Sequence, residues 1–325
     1  MQFAWGYTAP LMIEAAIRHK VFDLLSDGPR TVEEVSKKSG ASVRGLRAIM
    51  NALVGLELIS KHGEDRYANS PESQSFLVST SPGFQGGLFK HVSTQLVPKW
   101  LDLSEIVRTG KPETAVNQET EGGTFFEHFV EDIFPMSYPA ARALAGELKI
   151  GDASGTVRVL DIAAGSGVWG IALAQASNHV RVTAVDWPEV IPVTRRMAGR
   201  FGVGGRFEFV SGDLMSADFG SDHAIATLGH ILHSEGEDRS RRLLKKVYEA
   251  LATGGTIAIQ EFLVNDDRTG PPNGLIFAVN MLVNTEHGDT YSVREIGSWL
   301  EHAGFAGVRT IEAPGPSPII LATRP

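Results

Sequence analysis

A glycine-rich turn after a predicted strand is the feature of this 325-residue chain with the clearest chemical content. Val159-Leu160-Asp161-Ile162 leads into Ala163-Ala164-Gly165-Ser166-Gly167, and an apolar helical pattern follows. Gly165 and Gly167 permit a tight bend and let a ligand approach the main chain. The N-terminus of the following helix offers free N–H groups. With Gly170 the spacing satisfies G-x-G-x-x-G, which is typical of nucleotide-containing ligands.

Three aspartates stand where they would surround a ligand in that turn. Asp186 ends the second predicted strand, 186 − 165 = 21 residues after Gly165, and an acid at about this spacing suits a ribose diol. Asp213 follows the third predicted strand, where it would accept a hydrogen bond from an adenine amino group. Asp161 precedes the turn, and we expect its carboxylate to point at the ligand and to favour a cation over an anionic pyrophosphate.

The three acids therefore favour S-adenosylmethionine, which is a sulfonium, over a nicotinamide dinucleotide. Only the glycine spacing supports the alternative of an NAD-dependent oxidoreductase, and a Rossmann-like turn without a ligand is the structural alternative. The residues expected to bind the cofactor are Asp161, Gly165, Gly167, Asp186, Trp187, Gly212, Asp213, Leu214 and His230.

Composition excludes several other classes. Thirty basic against thirty-eight acidic side chains give a net charge of −8, without the broad basic surface expected of a nucleic-acid binder. With no cysteine, the chain has no disulfide, thiolate nucleophile or cysteine-ligated zinc. The N-terminus lacks the pattern of a signal peptide, and no apolar run approaches the ~18 residues that cross a bilayer. We expect a soluble cytoplasmic protein with no membrane or nucleic-acid partner.

The elements that must position these residues alternate between strands and helices after Gly151. This alternation predicts an α/β domain with a mostly parallel sheet covered on both faces. We predict a helix at 238–251, closed by Gly254-Gly255. A hairpin signal at Pro314-Gly315-Pro316 makes the last strand antiparallel. The predicted strands are 157–162, 181–186, 206–210, 224–229, 256–262, 307–313 and 318–323.

The first part of the chain has a winged-helix outline. Thr31 and Glu34 form a capping-box pattern, Ser42 caps a second helix, and two short strands follow around 58–68. We predict three regions, namely a mostly helical winged-helix domain at 1–95, a helical connector at 96–150 and the sheet domain at 151–325. The connector is rich in aromatic side chains, which suit either helix packing or a pocket wall. Residues expected to line an acceptor pocket are Phe126, Phe134, Met136, Asn280, Met281 and Asn284.

Over essentially its whole length, the sequence resembles the class I S-adenosylmethionine-dependent methyltransferases. More narrowly, it resembles the small-molecule O-methyltransferases of the plant caffeate/flavonoid and bacterial polyketide type. The family's glycine motif matches 161–167, its ribose acid matches Asp186, and its adenine-side acid matches Asp213. Its catalytic stretch, Leu-His-Asp-Trp followed by a polar and an acidic residue, falls on 232–237, where Ser234 and Glu235 replace Asp-Trp.

The resemblance implies that His233 is the general base and that Glu261 is the carboxylate that orients it. An imidazole, whose ordinary pKa is ~6.5, can take a hydroxyl proton at neutral pH. The family's second carboxylate comes just before an Arg-Thr pair, where this chain has Thr290, so Asp289 or Glu286 would have to replace it. We expect Asp289 to be catalytic. The resemblance also implies S-adenosylhomocysteine as product and a homodimer formed through the N-terminal module.

Alternatives remain open at this stage. His233 could be a purely structural histidine. His230, His233 and Glu261 could in principle hold a metal ion, although His-x-x-His spacing is weak evidence and we expect none. The same fold methylates thiols and enolisable carbons. Arg44 and Arg47 on the second short helix would instead suit a DNA-binding regulator.

Overall fold

A computed structural model describes residues 3–116, 123, 125–127, 129–315 and 317–325. The chain divides into two compact units, Met1–Leu101 and Asp102–Pro325. In the part of the chain that the model describes, no helix combines the length and the apolar character needed to span a membrane.

The first unit contains the predicted helix–turn–helix–hairpin arrangement. Thr31 and Glu34 form the predicted reciprocal capping box, and the Ser42 side chain accepts from the Gly45 N–H. Arg47, one of the two arginines on which the DNA-binding alternative rests, pairs with Glu33 at 2.7 Å. The elements are α1 (Thr8–Arg18), α2 (Val21–Leu25), β1 (Arg30–Thr31), α3 (Val32–Ser39), α4 (Val43–Gly55), β2 (Ile59–His62), β3 (Arg66–Asn69), α5 (Pro71–Phe76), α6 (Gly86–His91) and α7 (Val97–Trp100), with a π-helical turn at Val92–Leu96.

The second unit is built on a seven-stranded sheet of order β6-β5-β4-β7-β8-β10-β9. The strands from β6 to β8 are parallel, and β10 is antiparallel to both β8 and β9, which confirms the predicted mixed α/β sheet. Its elements are α8 (Leu103–Thr109), α9 (Phe134–Glu147), β4 (Val157–Ile162), α10 (Val168–Ala176), β5 (Val180–Asp186), α11 (Ile191–Arg200), β6 (Phe207–Ser211), β7 (His223–Gly229), α12 (Leu232–Ala250), β8 (Leu251–Gln260), α13 (Pro272–Asn284), α14 (Val293–Ala303), β9 (Ala306–Ile311) and β10 (Ile319–Thr323).

Apolar cores cover the two faces of this sheet. Val159 faces a core formed with α9, α10 and α11, whereas Leu160 and Ile162 face a core formed with α12 and α14. Because side chains alternate along a strand, Asp161 lies on the same face as Val159. The carboxyl ends of β4, β5, β6 and β7 meet at one edge, where open α/β sheets bind ligands.

Two element boundaries, the starts of α12 and β8, differ by more than two residues from those predicted. Helix α12 begins at Leu232 rather than 238 because a helical turn precedes a break at Gly236 (φ +76°), and the rest of the helix follows that break. Gly254 and Gly255 lie within β8 and do not close the helix. The pairing register of β7 and β8 shifts between His223 and Ile225, at the place where these glycines lie. The two glycines therefore accommodate an irregularity in β8.

Candidate active site

The glycine turn joins β4 to α10 through three left-handed residues, of which the first is Ala163 (φ +50°). Gly165 (φ +56°) and Gly167 (φ +75°) both adopt a conformation that side chains disfavour. A Cβ on Gly167 would also lie 3.0 Å from the methyl group of Thr194. The Thr194 hydroxyl donates to the Gly165 carbonyl at 2.7 Å, so α11 holds the turn from outside.

The side chain of Asp161, near the end of β4, is buried beneath this turn and does not face its open side. The residue has no exposed surface, and its carboxylate accepts from the Gly170 N–H at 2.9 Å and the Thr227 hydroxyl at 2.7 Å. Burial raises the pKa of Asp161 to about 7, against the lowering effect of those two hydrogen bonds. The expectation that it points at the ligand is corrected to a role in fixing α10 against β7.

Asp186 holds the turn from the end of β5. Its carboxylate accepts from the Gly165 N–H and from the Trp187 N–H, each at 2.7 Å. Its carbonyl accepts from the Gly212 N–H, which connects the ends of β5 and β6. Burial raises the pKa of Asp186 to about 6, again against its hydrogen bonds.

Asp213 follows β6 and is paired with a basic side chain that sequence reasoning missed. Its Oδ1 accepts from the Met215 N–H, and its Oδ2 lies 2.8 Å from the guanidinium of Arg239. Arg239 also contacts Glu235 at 2.6 Å. The i,i+4 spacing of Glu235 and Arg239 was the available signal. Leu214 is buried in the core.

His233 and Glu261 form a direct buried pair. His233 Nδ1 lies 2.6 Å from Glu261 Oε2, and Glu261 Oε1 accepts from the Leu232 N–H at 2.6 Å. Glu261 follows the end of β8, and His233 lies in the first turn of α12. Burial alone would raise the pKa of Glu261, but the interactions with His233, His230 and the Leu232 N–H together outweigh it and lower that pKa. The carboxylate therefore stays ionised beside the imidazole.

Two phenylalanine rings cover the imidazole. The ring of Phe277, on α13, lies edge-on to His233 at 4.9 Å, and that of Phe262 lies at 5.9 Å. The two phenylalanines stack on each other at 3.9 Å. Only 8% of His233 is exposed, so this apolar cover limits the access of water to the ring. The position of Phe277 on the apolar helix at 272–284 was its only sequence signal.

His230 lies beside this pair in a left-handed conformation (φ +61°). Burial lowers the pKa of His230 to about 4, against the neighbouring charge of Glu261, so the ring is neutral at neutral pH. Its Nδ1 is buried and has no hydrogen-bond partner within the described ranges. His230, His233 and Glu261 each offer a ligand atom within 4.8 Å of the others, although the bond between His233 and Glu261 already uses one atom of each.

The segment 285–291 contacts the main chain of His233. The Asp289 N–H donates to the His233 carbonyl at 2.9 Å, but Asp289 is exposed and its carboxylate accepts from the Thr290 N–H. Glu286 is also exposed, 4.0 Å from Lys111. The Thr290 hydroxyl is buried without a hydrogen-bond partner in the ranges described. Glu261 is thus the carboxylate on the imidazole, and the catalytic role expected for Asp289 remains a prediction.

The residues expected to line an acceptor pocket divide into three groups. Phe126 lies against Trp187, with ring centroids 6.0 Å apart, and Met136 is exposed. Phe134 belongs to the core, because its ring stacks on Tyr138 and on Phe201. On α13, Asn280 is half-buried and accepts from the Asn284 amide, whereas the remaining two are buried, namely Met281 and Asn284.

The polar groups at this edge of the sheet fit S-adenosylmethionine. Asp186 and Asp213 are acceptors at the carboxyl ends of adjacent strands, suited to ribose hydroxyls and to an adenine amino group. The glycine turn follows β4, the strand beside β5, and has a main chain that a ligand can approach. His233 stands at the end of the neighbouring strand β7, where a reacting hydroxyl would need a base.

Comparisons with known proteins agree with this geometry. The O-methyltransferase domain model matches residues 100–306, and the O-methyltransferase dimerisation domain model matches residues 1–79. The chain is 31% identical over 327 residues to the 3-hydroxy-5-methyl-1-naphthoate 3-O-methyltransferase of Streptomyces sahachiroi, covering 99% of this chain and 93% of that protein.

Solved structures show the same fold. An O-methyltransferase crystal structure from Nostoc punctiforme superposes with a TM-score of 0.90 at 27% identity, covering 99% of this chain and 97% of that one. Human N-acetylserotonin methyltransferase in complex with S-adenosylmethionine superposes with a TM-score of 0.85 at 23% identity, covering 99% and 96%. The chain therefore belongs to the O-methyltransferase family and is an S-adenosylmethionine-dependent enzyme that methylates hydroxyl groups of small molecules.

Proposed function

We propose that the acceptor is a hydroxyl on an aromatic ring and that His233 is the general base, oriented by Glu261. The observation that carries the proposal is the 2.6 Å contact between His233 Nδ1 and Glu261 Oε2. A carboxylate accepts and does not donate when ionised, so this contact places the ring proton on Nδ1 and leaves a lone pair on Nε2. That lone pair is the one available to an acceptor hydroxyl.

His233 then takes the hydroxyl proton on Nε2 as the oxygen becomes the nucleophile. Glu261 stabilises the imidazolium that results, because the two opposite charges lie in direct contact in a buried site. The stacked rings of Phe262 and Phe277 exclude water that would compete for the base. S-adenosylmethionine supplies the methyl group from its sulfonium and leaves as S-adenosylhomocysteine.

We propose that Asp186 binds the ribose and Asp213 the adenine, with Gly165, Gly167, Gly212 and Trp187 lining the cofactor site. Asp161 supports the turn from beneath, and His230 lies close enough to the His233 and Glu261 pair to border the reacting end. Leu214 contributes from the core behind Asp213.

An aromatic acceptor agrees with the side chains around the base. Phe277 and Phe262 present ring faces and edges within 6 Å of the imidazole, and Asn280 lies about one helical turn from Phe277 on α13. Aromatic rings pack favourably in offset or edge-to-face arrangements. The relative from Streptomyces sahachiroi is named for a hydroxylated naphthoate. We therefore propose hydroxynaphthoates and similar fused phenols as the acceptor class.

The test uses S-adenosylmethionine labelled in its methyl group with hydroxynaphthoates, simple phenols, thiols and 2-keto acids. We expect label in the aromatic hydroxyl products, retained in the presence of EDTA and lost in His233→Ala. Label in a thiol or a carbon acid would replace the proposed acceptor with sulfur or carbon while keeping the cofactor. Transfer that is unchanged in His233→Ala would reject the base.

We also propose that the chain forms a homodimer through its first unit and functions in the cytoplasm. The match of residues 1–79 to a dimerisation domain supports the dimer. The exposed aromatic side chains Phe3, Trp5 and Tyr7 give that unit an apolar surface of the kind that subunit interfaces cover. Sedimentation velocity at micromolar concentration should give twice the 35.0 kDa chain mass, and a monomer there would reject the proposal.

A further inference from the structure

Arg239 joins two carboxylates at the adenine side of the proposed cofactor site. Its Nε lies 2.6 Å from Glu235 Oε2, and its Nη2 lies 2.8 Å from Asp213 Oδ2. The other oxygen of Asp213 accepts from the Met215 N–H at 2.8 Å. Both oxygens of Asp213 are therefore held, one by its own loop and one by the guanidinium.

Glu235 is the unusual member of this trio. It occupies the position of the tryptophan in the family's catalytic stretch, yet only 3% of its side chain is exposed. A carboxylate buried to that extent needs a cation, because an unpaired buried charge is costly. Arg239 contacts it directly, and burial raises the pKa of Glu235 against that contact. An ion pair thus stands where the family places an aromatic surface.

The loop after Asp213 has a separate support. Lys246 Nζ donates to the carbonyls of Leu214 and Ala217, so the main chain of the loop is fixed from α12 independently of Arg239. Loss of the guanidinium would release the Asp213 side chain without releasing the loop. Because Lys246 supports the loop and Arg239 supports the Asp213 side chain, the effect of Arg239 on ligand binding can be separated from a general loss of structure.

We propose that Arg239 is a positioning residue for adenine recognition, which fixes the orientation of the Asp213 carboxylate and uses Glu235 as its buried counter-ion. The inference rests on the proposed cofactor site, in which Asp213 accepts from the adenine amino group. The rigid fork of a guanidinium suits the task, since its N–H donors contact two carboxylates at once. Lysine offers a single point charge and cannot reproduce both contacts at the same geometry.

The experiment measures binding by titration calorimetry of S-adenosylhomocysteine and of its purine-riboside analogue, which lacks the 6-amino group. The variants are Arg239→Met, Arg239→Lys and Glu235→Gln, with Arg242→Met as a matched control because Arg242 is an exposed arginine on the same helix. A hydrogen bond to a charged group contributes ~1.5–3 kcal/mol, which corresponds to a preference of about 10- to 150-fold for the amino-bearing ligand.

We expect the wild type, Arg242→Met and Glu235→Gln to keep that preference, since glutamine retains an acceptor for Arg239. In Arg239→Met the preference should fall below about 3-fold, and Arg239→Lys should be intermediate. At saturating S-adenosylmethionine, kcat should stay within about 3-fold, because the adenine lies away from the reacting methyl group. A full preference in Arg239→Met, or an equal loss in Arg242→Met, would overturn the inference.

Three further outcomes are separable from these. If Arg239→Met melts at a lower temperature or does not fold, Arg239→Lys decides, and a wild-type preference in that variant overturns the proposal. If the wild-type protein does not bind S-adenosylhomocysteine, the proposed cofactor site is rejected, and the role of Arg239 is rejected with it. If the wild type binds both ligands equally, the cofactor site stands and the role of Arg239 is rejected.

Discussion

Replacing Glu261 with glutamine removes one charge from the active site and keeps the shape of the side chain. Glu261 is 2% exposed, and its two oxygens accept from the Leu232 N–H and contact His233 Nδ1. The glutamine oxygen must stay with Leu232, whose N–H can only donate. Its NH₂ group then faces Nδ1 and forces that atom to accept, so the ring proton moves to Nε2. The atom that should take the acceptor proton is then blocked.

The expected loss follows from the geometry of the pair. With Nδ1 and Oε2 at 2.6 Å, the centres of charge lie roughly 4 Å apart, and at an effective dielectric constant of about 20 their attraction is ~4 kcal/mol. One decade in rate corresponds to ~1.4 kcal/mol, so kcat should fall by about 10³-fold. Affinity for S-adenosylhomocysteine should change by less than about 3-fold, because Glu261 is not among the residues proposed to bind it.

The assay follows single-turnover methyl transfer to a hydroxynaphthoate with enzyme in excess, and titration calorimetry reports cofactor binding. Glu237→Gln is the matched control, since Glu237 lies on the same helix as His233 but is solvent-exposed and pairs with Arg241. That control should retain activity within about 2-fold. A loss smaller than about 10-fold in Glu261→Gln, or an equal loss in Glu237→Gln, would refute the orienting role of the carboxylate.

Four other predictions address the same site. His233→Ala should lose at least about 10²-fold in turnover and bind S-adenosylhomocysteine within about 3-fold of wild type, and calorimetry beside the transfer assay checks both. Asp186→Ala leaves the Gly165 and Trp187 N–H groups without their acceptor and should weaken S-adenosylhomocysteine binding by at least about 10-fold; an unchanged Kd would contradict that role. Gly236→Ala should lower both Tm and kcat, because a Cβ there would lie 2.7 Å from the His287 carbonyl, whereas Gly254→Ala, at a similar positive φ but in open space, should show only the backbone strain. Asp161 has a folded-state pKa of about 7, raised from 3.8, so its contribution to the free energy of unfolding is fully present below about pH 3.8 and is lost as the pH rises through 7. Denaturant titrations from pH 4 to 8 should therefore show the wild type losing free energy of unfolding relative to Asp161→Asn. If the free energies of unfolding of the two proteins changed in parallel with pH, the raised pKa of Asp161 would be contradicted.

Much of the fold could be predicted because its signals are local. The bounds of β4 match the sequence prediction, since an apolar run between glycine-rich turns has few alternatives. The capping box at Thr31 also depends on residues three apart. The pairing of His233 with Glu261 came from a resemblance, because these residues are 28 apart in sequence and meet only when β7 and β8 are adjacent.

The parts that were not predicted depend on three-dimensional packing. Alternation along β4 would have placed Asp161 with Val159 toward the core, but its partner Thr227 lies on β7 and is 66 residues away. Phe277 reaches His233 only through the placement of α13. The reach of Arg239 toward Asp213 depends on the break at Gly236, which sets where the rest of α12 begins.

The corrected position of Asp161 changes the electrostatic argument for the ligand without reversing it. With a pKa of about 7, this buried carboxyl is only partly ionised at neutral pH, so it is a weak source of attraction for a sulfonium. Asp186, with a pKa of about 6, is mostly ionised there and stands at the edge of the turn. Binding of a cation beside either group would favour its ionised form, because opposite charges lower a carboxyl pKa. The mostly ionised carboxylate at the edge of the turn is therefore Asp186, while Asp161 holds Gly170 of α10 against Thr227 of β7.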